Sequence, residues 1–420
     1  MQLKQRLATL AAAATVATGI VAIPAGPAEA AGPGTITYVQ DHNVWVAHQD
    51  GTGARRVTTD GTANQPWRSP TQSDSGQVVA GRGNLVYRMD QWGTVLGTID
   101  PPDVADSAGQ VLGGPPAHLA VSPDGSRIAY TYEKYSCPVG LACKMRYVTA
   151  FTSSTAVTDP TAWGVTFYDA PSWVTNSRVA VTQDLIQNVR LFDLARGDTY
   201  WFDENVYTSD DRTLSDFEIA RNAGYAVAVR GDGDQTQAIF YSITGNYLDG
   251  GRPPFPTPLC ATTEEPGIAS PTWSADGGLV AWQEPTGVWA AAMGSAPCEA
   301  QPYLMIAGAS QPSYSPAALQ QTRPTYPPQQ FTTKAKPKVG HRGPVVPGRV
   351  VTASKGSFTP RPTAYGYQWL RDKKVVKGAT KASYRVRKAD RGHRLQVRVK
   401  ALRQGYRNAV AVSAPVRVKR

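Results

Sequence analysis

Histidine is scarce in this chain, with five among 420 residues. His118 is the one placed where it could do chemistry. It opens the strand-like run "HLAV" and can present an imidazole to a shared interior, as a proton acceptor or a ligand-binding group. His42 falls in a turn, and His48, His341 and His393 sit in peripheral stretches. The richest polar segment is "YWFDENVYTSDDRTLSDFE" (200–218). It sets Trp201 beside Asp203, Asp210 and Asp211, and aromatic rings with carboxylates can hold a sugar or a cation. The same composition also suits an acidic connector whose aromatics cover a sheet edge. Two Arg-Gly-Asp tripeptides, in "ARGDT" and "RGDGD", fall at expected hairpin turns, where Gly and Asp belong for conformational reasons.

No G-x-S-x-G elbow, H-E-x-x-H pair or P-loop occurs, so no residue is assigned as catalytic and no cofactor is called for. The sequence therefore favours a binding role, with a carbohydrate-active lyase or hydrolase as the alternative. Cys137, Cys143, Cys260 and Cys298 form an even set. In an exported protein that points to disulfides, with three pairings open. Their spacings match no zinc pattern.

The first 30 residues read as a signal peptide: a basic start, a small and apolar run, and "AEA" before Ala31. No second apolar span follows, so the mature protein is expected to be secreted, extracellular or wall-associated, and monomeric. The formal charge of +11 conceals a split. Residues 31–330 carry 17 Lys/Arg against 29 Asp/Glu, and residues 331–420 carry 24 against 2. An acidic body thus precedes a tail of net +22.

The elements that must position these residues repeat. Six runs alternate β-branched and aromatic residues: "TITYVQ", "QVVAGR", "RIAYTY", "RVAVTQ", "YAVAVR" and "LVAWQE". Each is followed by a turn and a second strand-like run. A third phrase precedes five of them: "PTQSDSG", "LAVSPDG", "PSWVTNS", "FEIARNA" and "PTWSADG". The third residue of each serves as an anchor: Gln72, Val121, Trp173, Ile219 and Trp273. They lie 49, 52, 46 and 54 residues apart, the size of a four-stranded propeller blade. The first hairpin lacks this phrase, and the orphan "PSYSP" (312–316) is expected to return and supply it, closing a ring and removing open edges.

"LAVSPDGSRIAYTY" and its copies resemble the TolB-type propellers, whose WD-related repeats carry the same signature. The resemblance implies a six-bladed scaffold that binds proteins or small ligands at its faces, or serves in an envelope assembly. Within that frame, position favours Cys137–Cys143 at a hairpin tip and Cys260–Cys298 around the last blade. After a Pro- and Lys-rich stretch, "GYQWLRD", "KGAT", "ADRG" and "LQVRVKA" resemble bacterial Ig-like modules, with Trp369 implied as the core tryptophan. Period-two alternation puts Leu395, Val397 and Val399 inside. It leaves Arg385, Arg387, Arg394, Arg398 and Lys400 exposed as a polyanion-binding set. Teichoic acid-like polymer, lipid head groups and extracellular nucleic acid are the candidate partners, and a solvated, solubilising surface is the competing reading.

The expected fold class is all-β: a six-bladed β-propeller closed by a C-terminal strand, plus a small Ig-like β-sandwich. The expected layout is signal peptide 1–30, propeller 31–317, linker 318–343 and basic domain 344–420.

Overall fold

A computed structural model of the chain describes residues 34–419, except 107–108, 137–143, 156–164, 167, 184–187, 204–212, 222–223, 294–298, 300, 326–328, 360 and 404–405. The chain divides into two compact units, Met1–Arg323 and Pro324–Arg420.

Among the described residues, the first unit contains six four-stranded antiparallel sheets and a two-stranded one, Val104–Ala105 with Val111–Leu112. Sheet I holds Ser310–Ser315, Thr35–Gln40, Asn43–His48 and Arg55–Arg56. Sheet II holds Arg68–Gln72, Val78–Arg82, Leu85–Met89 and Val95–Ile99. Sheet III runs from His118–Val121 through Arg127–Ser136 and Lys144–Ser153 to Val165–Thr166. Sheet IV contains Tyr168–Trp173, Arg178–Gln183, Asn188–Asp193 and Gly197–Asp203. Sheet V contains Leu214–Ile219, Tyr225–Asp232, Gln235–Ser242 and Thr257–Ala261. Sheet VI contains Ala269–Trp273, Leu279–Glu284, Gly287–Ala292 and Tyr303–Ala307.

The first strand of each sheet packs on the first strand of the next, and that of sheet VI packs on that of sheet I. The ring closes because Ser310–Ser315 pairs antiparallel with Thr35–Gln40, placing Tyr314 opposite Ile36. This all-β arrangement of radiating sheets fits a β-propeller.

The sequence pattern has a simple cause. Six apolar clusters alternate with the six sheets, one in each gap, so every second strand is covered on both faces. Val179 and Val181 pack toward sheet III, while Ala180 between them packs toward sheet V. Val227 and Val229 face sheet VI, and Ala226 and Ala228 face sheet IV. Two-sided burial is why these runs read as nearly continuous apolar stretches. Each fully buried valine contributes about 1.5–3 kcal/mol. One cation is buried with them. Arg178 is 0 % exposed. It donates to both Asp193 carboxylate oxygens at 2.8 and 2.7 Å, and to the Tyr247 carbonyl at 2.9 Å.

In the second unit two sheets face each other. One contains Val339–Gly340, Val350–Ala353 and Ser383–Arg385. The other is centred on Ala364–Arg371 and Arg394–Leu402, with Lys374–Val375, Ala409–Val412 and Val416–Arg417 beside them. Val351 and Tyr384 of the first sheet pack against Trp369, Leu395, Val397 and Val399 of the second. The rings of Trp369 and Tyr384 stack at 5.4 Å.

The stretch 318–343 is not a bare linker. Leu319 is buried in the cluster between sheets I and II. Thr332–Ala335 pairs with Ser357–Thr359, and Val339–Gly340 pairs with Val350–Ala353. Thr332 to Ala335 are exposed at every position, so no apolar alternation marked them as a strand.

Candidate functional site

The cavity at the centre of the first unit grows from one repeated backbone irregularity. With Tyr314 of "PSYSP" as the sixth anchor, three residues before each anchor stand Ser69, His118, Ala170, Asp216, Ser270 and Gln311. Five of them, all but His118, have positive φ, between 42° and 53°. Four of those five precede a proline. Proline has no N–H for the ladder and is admitted to a covered strand only at a bulge. The pairing register shifts at the same place in those five sheets. Sheet III keeps its register through His118. A side chain at positive φ is strained by about 1–2 kcal/mol, and such strain persists where the surroundings over-determine it.

The bulges leave backbone N–H groups that side chains of the preceding sheet satisfy. Asp216 accepts from the Ser270 N–H at 2.8 Å, and Gln311 accepts from the Ser69 N–H at 2.7 Å. Glu218 accepts from the Trp273 N–H at 2.8 Å and the Thr272 hydroxyl at 3.0 Å. In the next gap Thr272 accepts from the Tyr314 N–H at 3.1 Å. These contacts line an open cavity of about 190 Å³, to which the first strands of all six sheets contribute.

Its electrostatics are uneven. His118 lies 3.4 Å from Glu133, with its side chain 35 % exposed. Burial alone would discharge the imidazole, but the bond to Glu133 and the charges of Asp216, Asp169 and Glu133 overcome it. Together they raise the pKa to about 9. His118 is therefore a cation at neutral pH, not the free base its residue type suggests. Burial pushes the Glu218 carboxyl up to about 7, against the bonds from Trp273 and Thr272 and the charge of Arg221. At the opposite end of the first strands, Arg221 of sheet V reaches Asp74 of sheet II at 3.0 Å. Those sheets stand three steps apart in a cycle of six, so the pair spans the mouth. The cavity thus offers hydrogen-bonding groups on all sides and two protonated groups near neutrality.

The other predicted residues fall elsewhere. Trp201 is 0 % exposed, sits in the core between sheets IV and V, and donates its indole N–H to the Pro254 carbonyl at 2.9 Å. It is a packing residue, and its ring is closed to ligand. Asp203 ends the outermost strand of sheet IV, where it accepts from the Tyr200 hydroxyl at 2.9 Å. Asp210 and Asp211 lie outside the described residues, as do Cys137, Cys143 and Cys298. Cys260 is buried in sheet V and disulfide-bonded. Asp169, Arg221 and Asp74 escaped the sequence reading, and Asp216 and Glu218 entered it only as part of the acidic segment 200–218. Counting from the anchors would have found Asp216 at the same step as His118, and Arg221 at the same step as Asp74.

In the second unit, Arg385, Arg387, Arg394, Arg398 and Lys400 are exposed, while Leu395, Val397 and Val399 are fully buried. They do not form one face. Tyr384 and Trp369 meet inside the sandwich, so Arg385 points outward from one sheet and Arg398 outward from the other. Alternation told inside from outside but not which sheet a strand joins. The only acids of residues 331–420, Asp372 and Asp390, are both engaged locally. Asp390 is 0 % exposed and accepts from Arg371, the Tyr384 hydroxyl and the Arg387 N–H, each at 2.7 Å. Asp372 accepts from the Arg394 N–H at 2.8 Å and contacts His393 at 2.5 Å.

No family model matches the chain, and no curated protein does. Solved structures do match. The periplasmic gluconolactonase of Pseudomonas aeruginosa aligns over 92 % of this chain and 96 % of its own, at 12 % identity and a TM-score of 0.40. An oligogalacturonate lyase in complex with manganese aligns over 62 % of this chain and 69 % of its own, at 11 % identity and 0.38. A puromycin-hydrolyzing peptidase of Mycobacterium tuberculosis aligns over 65 % and 43 %, at 12 % identity and 0.38. At these values the likeness carries no inference about chemistry. Among the described residues no helix is long and apolar enough to cross a membrane.

Proposed function

We propose that the chain is a secreted, two-part binding protein. Its first unit, read as a six-bladed TolB-like propeller, takes a small polar ligand or a protein segment in the central cavity. Its second unit, read as a basic Ig-like module, holds the protein to an anionic polymer of the cell envelope. The signal peptide, the Cys137–Cys143 and Cys260–Cys298 pairings and a monomeric state belong to the same reading.

One observation carries it. Residues 331–420 hold 24 Lys/Arg and two acids, and both acids are already bound within the module. The exposed cations therefore have no carboxylate of their own module left to neutralise them. The charges of an external polyanion relieve that self-repulsion, and release of the polymer's counterions favours binding further. The test is retention of the full chain on an immobilised polyanion as salt rises. We expect log affinity to fall linearly with log salt, by roughly 0.7–0.9 per anionic group engaged. Retention indifferent to salt, or absent at low salt, rules the anchoring out.

A second reading, a carbohydrate-active lyase or hydrolase, is favoured by the two protonated groups, His118 and Glu218, that line one cavity. Turnover of a polysaccharide panel that disappears in both His118→Ala and Glu218→Gln would establish it, and inactivity across the panel leaves binding.

A further inference from the structure

We infer that the basic module has two separate anion-binding faces and bridges two polymer strands. This deepens the polyanion reading above and rests on it.

Arg394, Arg398 and Lys400 occupy exposed even-numbered positions of one strand, with the buried Leu395, Val397 and Val399 between them and the buried Ala401 after them. Their outer surface is continued by Gln368 beside Arg398 and Gly366 beside Lys400, neither of them anionic. On the other sheet, Arg385 stands opposite the half-exposed Val350. With Lys381 and Arg387 it borders a shallow depression of about 360 Å³. Arg385 is held by a 2.9 Å bond to the Gly348 carbonyl, so its guanidinium is already fixed at that border.

Facing sheets lie about 10 Å apart, and outward side chains extend beyond them on both sides. The two cation groups are thus separated by on the order of 20 Å, more than twice the ~8 Å screening length at physiological salt. One strand cannot neutralise both without wrapping the module, and the two groups do not weaken each other's binding. Four of these six cations are arginine, whose forked donors match phosphate oxygens. A linear phosphate polymer therefore fits each face.

The experiment uses the full chain and long-chain inorganic polyphosphate. Polyphosphate is fixed to beads, saturated with protein, washed, and offered a second, fluorescent polyphosphate. The wild type should capture it. The variants Arg394→Ser/Arg398→Ser/Lys400→Ser and Arg385→Ser/Arg387→Ser should each stay on the beads with affinity weakened less than about tenfold. Each should lose at least tenfold in capture of the second strand. A variant in either set that still captures it overturns the inference, pointing to bridging through pairs of molecules. Detachment of both variants from the beads overturns it too, since it reveals one composite site. A wild type that binds but captures nothing sinks bridging alone. A wild type that never binds sinks the polyanion reading with it. Circular dichroism spectra matching the wild type establish that the variants are folded.

Discussion

The two units place charge in opposite ways. In the ring, a few ionised groups are fixed by partners in the core or around the central cavity. Arg178 is sealed between sheets against Asp193 and two backbone carbonyls. His118 faces Glu133, and Arg221 reaches across to Asp74. In the sandwich the acids turn inward or are tied down in turns, and the cations are left outside. On the binding reading proposed above, the first unit would act at its middle, through a few fixed groups, and the second over its surface, through net charge.

That contrast can be broken most forcefully at one pair of arginines. Arg178→Leu should lower the stability of the ring by about 3–5 kcal/mol, because it strands the largely buried Asp193 carboxylate and two backbone carbonyls. Arg398→Leu should change the stability of the module by less than about 0.5 kcal/mol. Chemical denaturation followed through each unit's tryptophans measures both, and equal costs would erase the distinction.

Proton linkage is the next test. Glu218 keeps its proton in the folded ring up to about 7, against an ordinary value of 4.5. The folded state therefore binds more protons between those values, and stability falls as pH rises from about 4.5 to 7. His118 titrates at about 9 instead of 6.5. Its contribution is fully present below 6.5 and is lost as pH rises through 9. Glu218→Gln should flatten the first window and His118→Asn the second, in melting temperatures recorded across pH. A slope unchanged by either substitution would remove the inward-facing charges from the account.

The smallest effect is expected at Ala170, which holds φ at 42°. Ala170→Gly relieves the strain of that conformation but gives the unfolded chain more freedom, so a gain of no more than about 1 kcal/mol should remain. A loss would mean the alanine methyl packs usefully in the cavity wall.

Much of the ring was legible because both-sided burial writes itself into runs such as "RVAVTQ", and because an orphan phrase containing Tyr314 had to find a partner hairpin. The cavity was legible at His118, and at Asp216 and Glu218 only as the end of an acidic segment. Asp169 and Asp216 stand at or beside bulges, where residue type varies from sheet to sheet and periodicity gives no signal. Trp201 misled because an aromatic beside a carboxylate reads alike in a core edge and in a binding site. The two cationic faces were hidden for a related reason: alternation along Arg394–Leu402 and Ser383–Arg385 reports depth and is silent on neighbours.

The seam between Thr35–Gln40 and Ser310–Ser315 has a consequence for how the molecule is made. A polypeptide emerging amino end first presents its earliest strand with one naked edge, and the segment that covers it arrives some 270 residues later. Long-range closure of this kind is slow and leaves time for misassociation. Completion of the fold is therefore tied to the last turn of the circle, whatever the earlier sheets have already achieved.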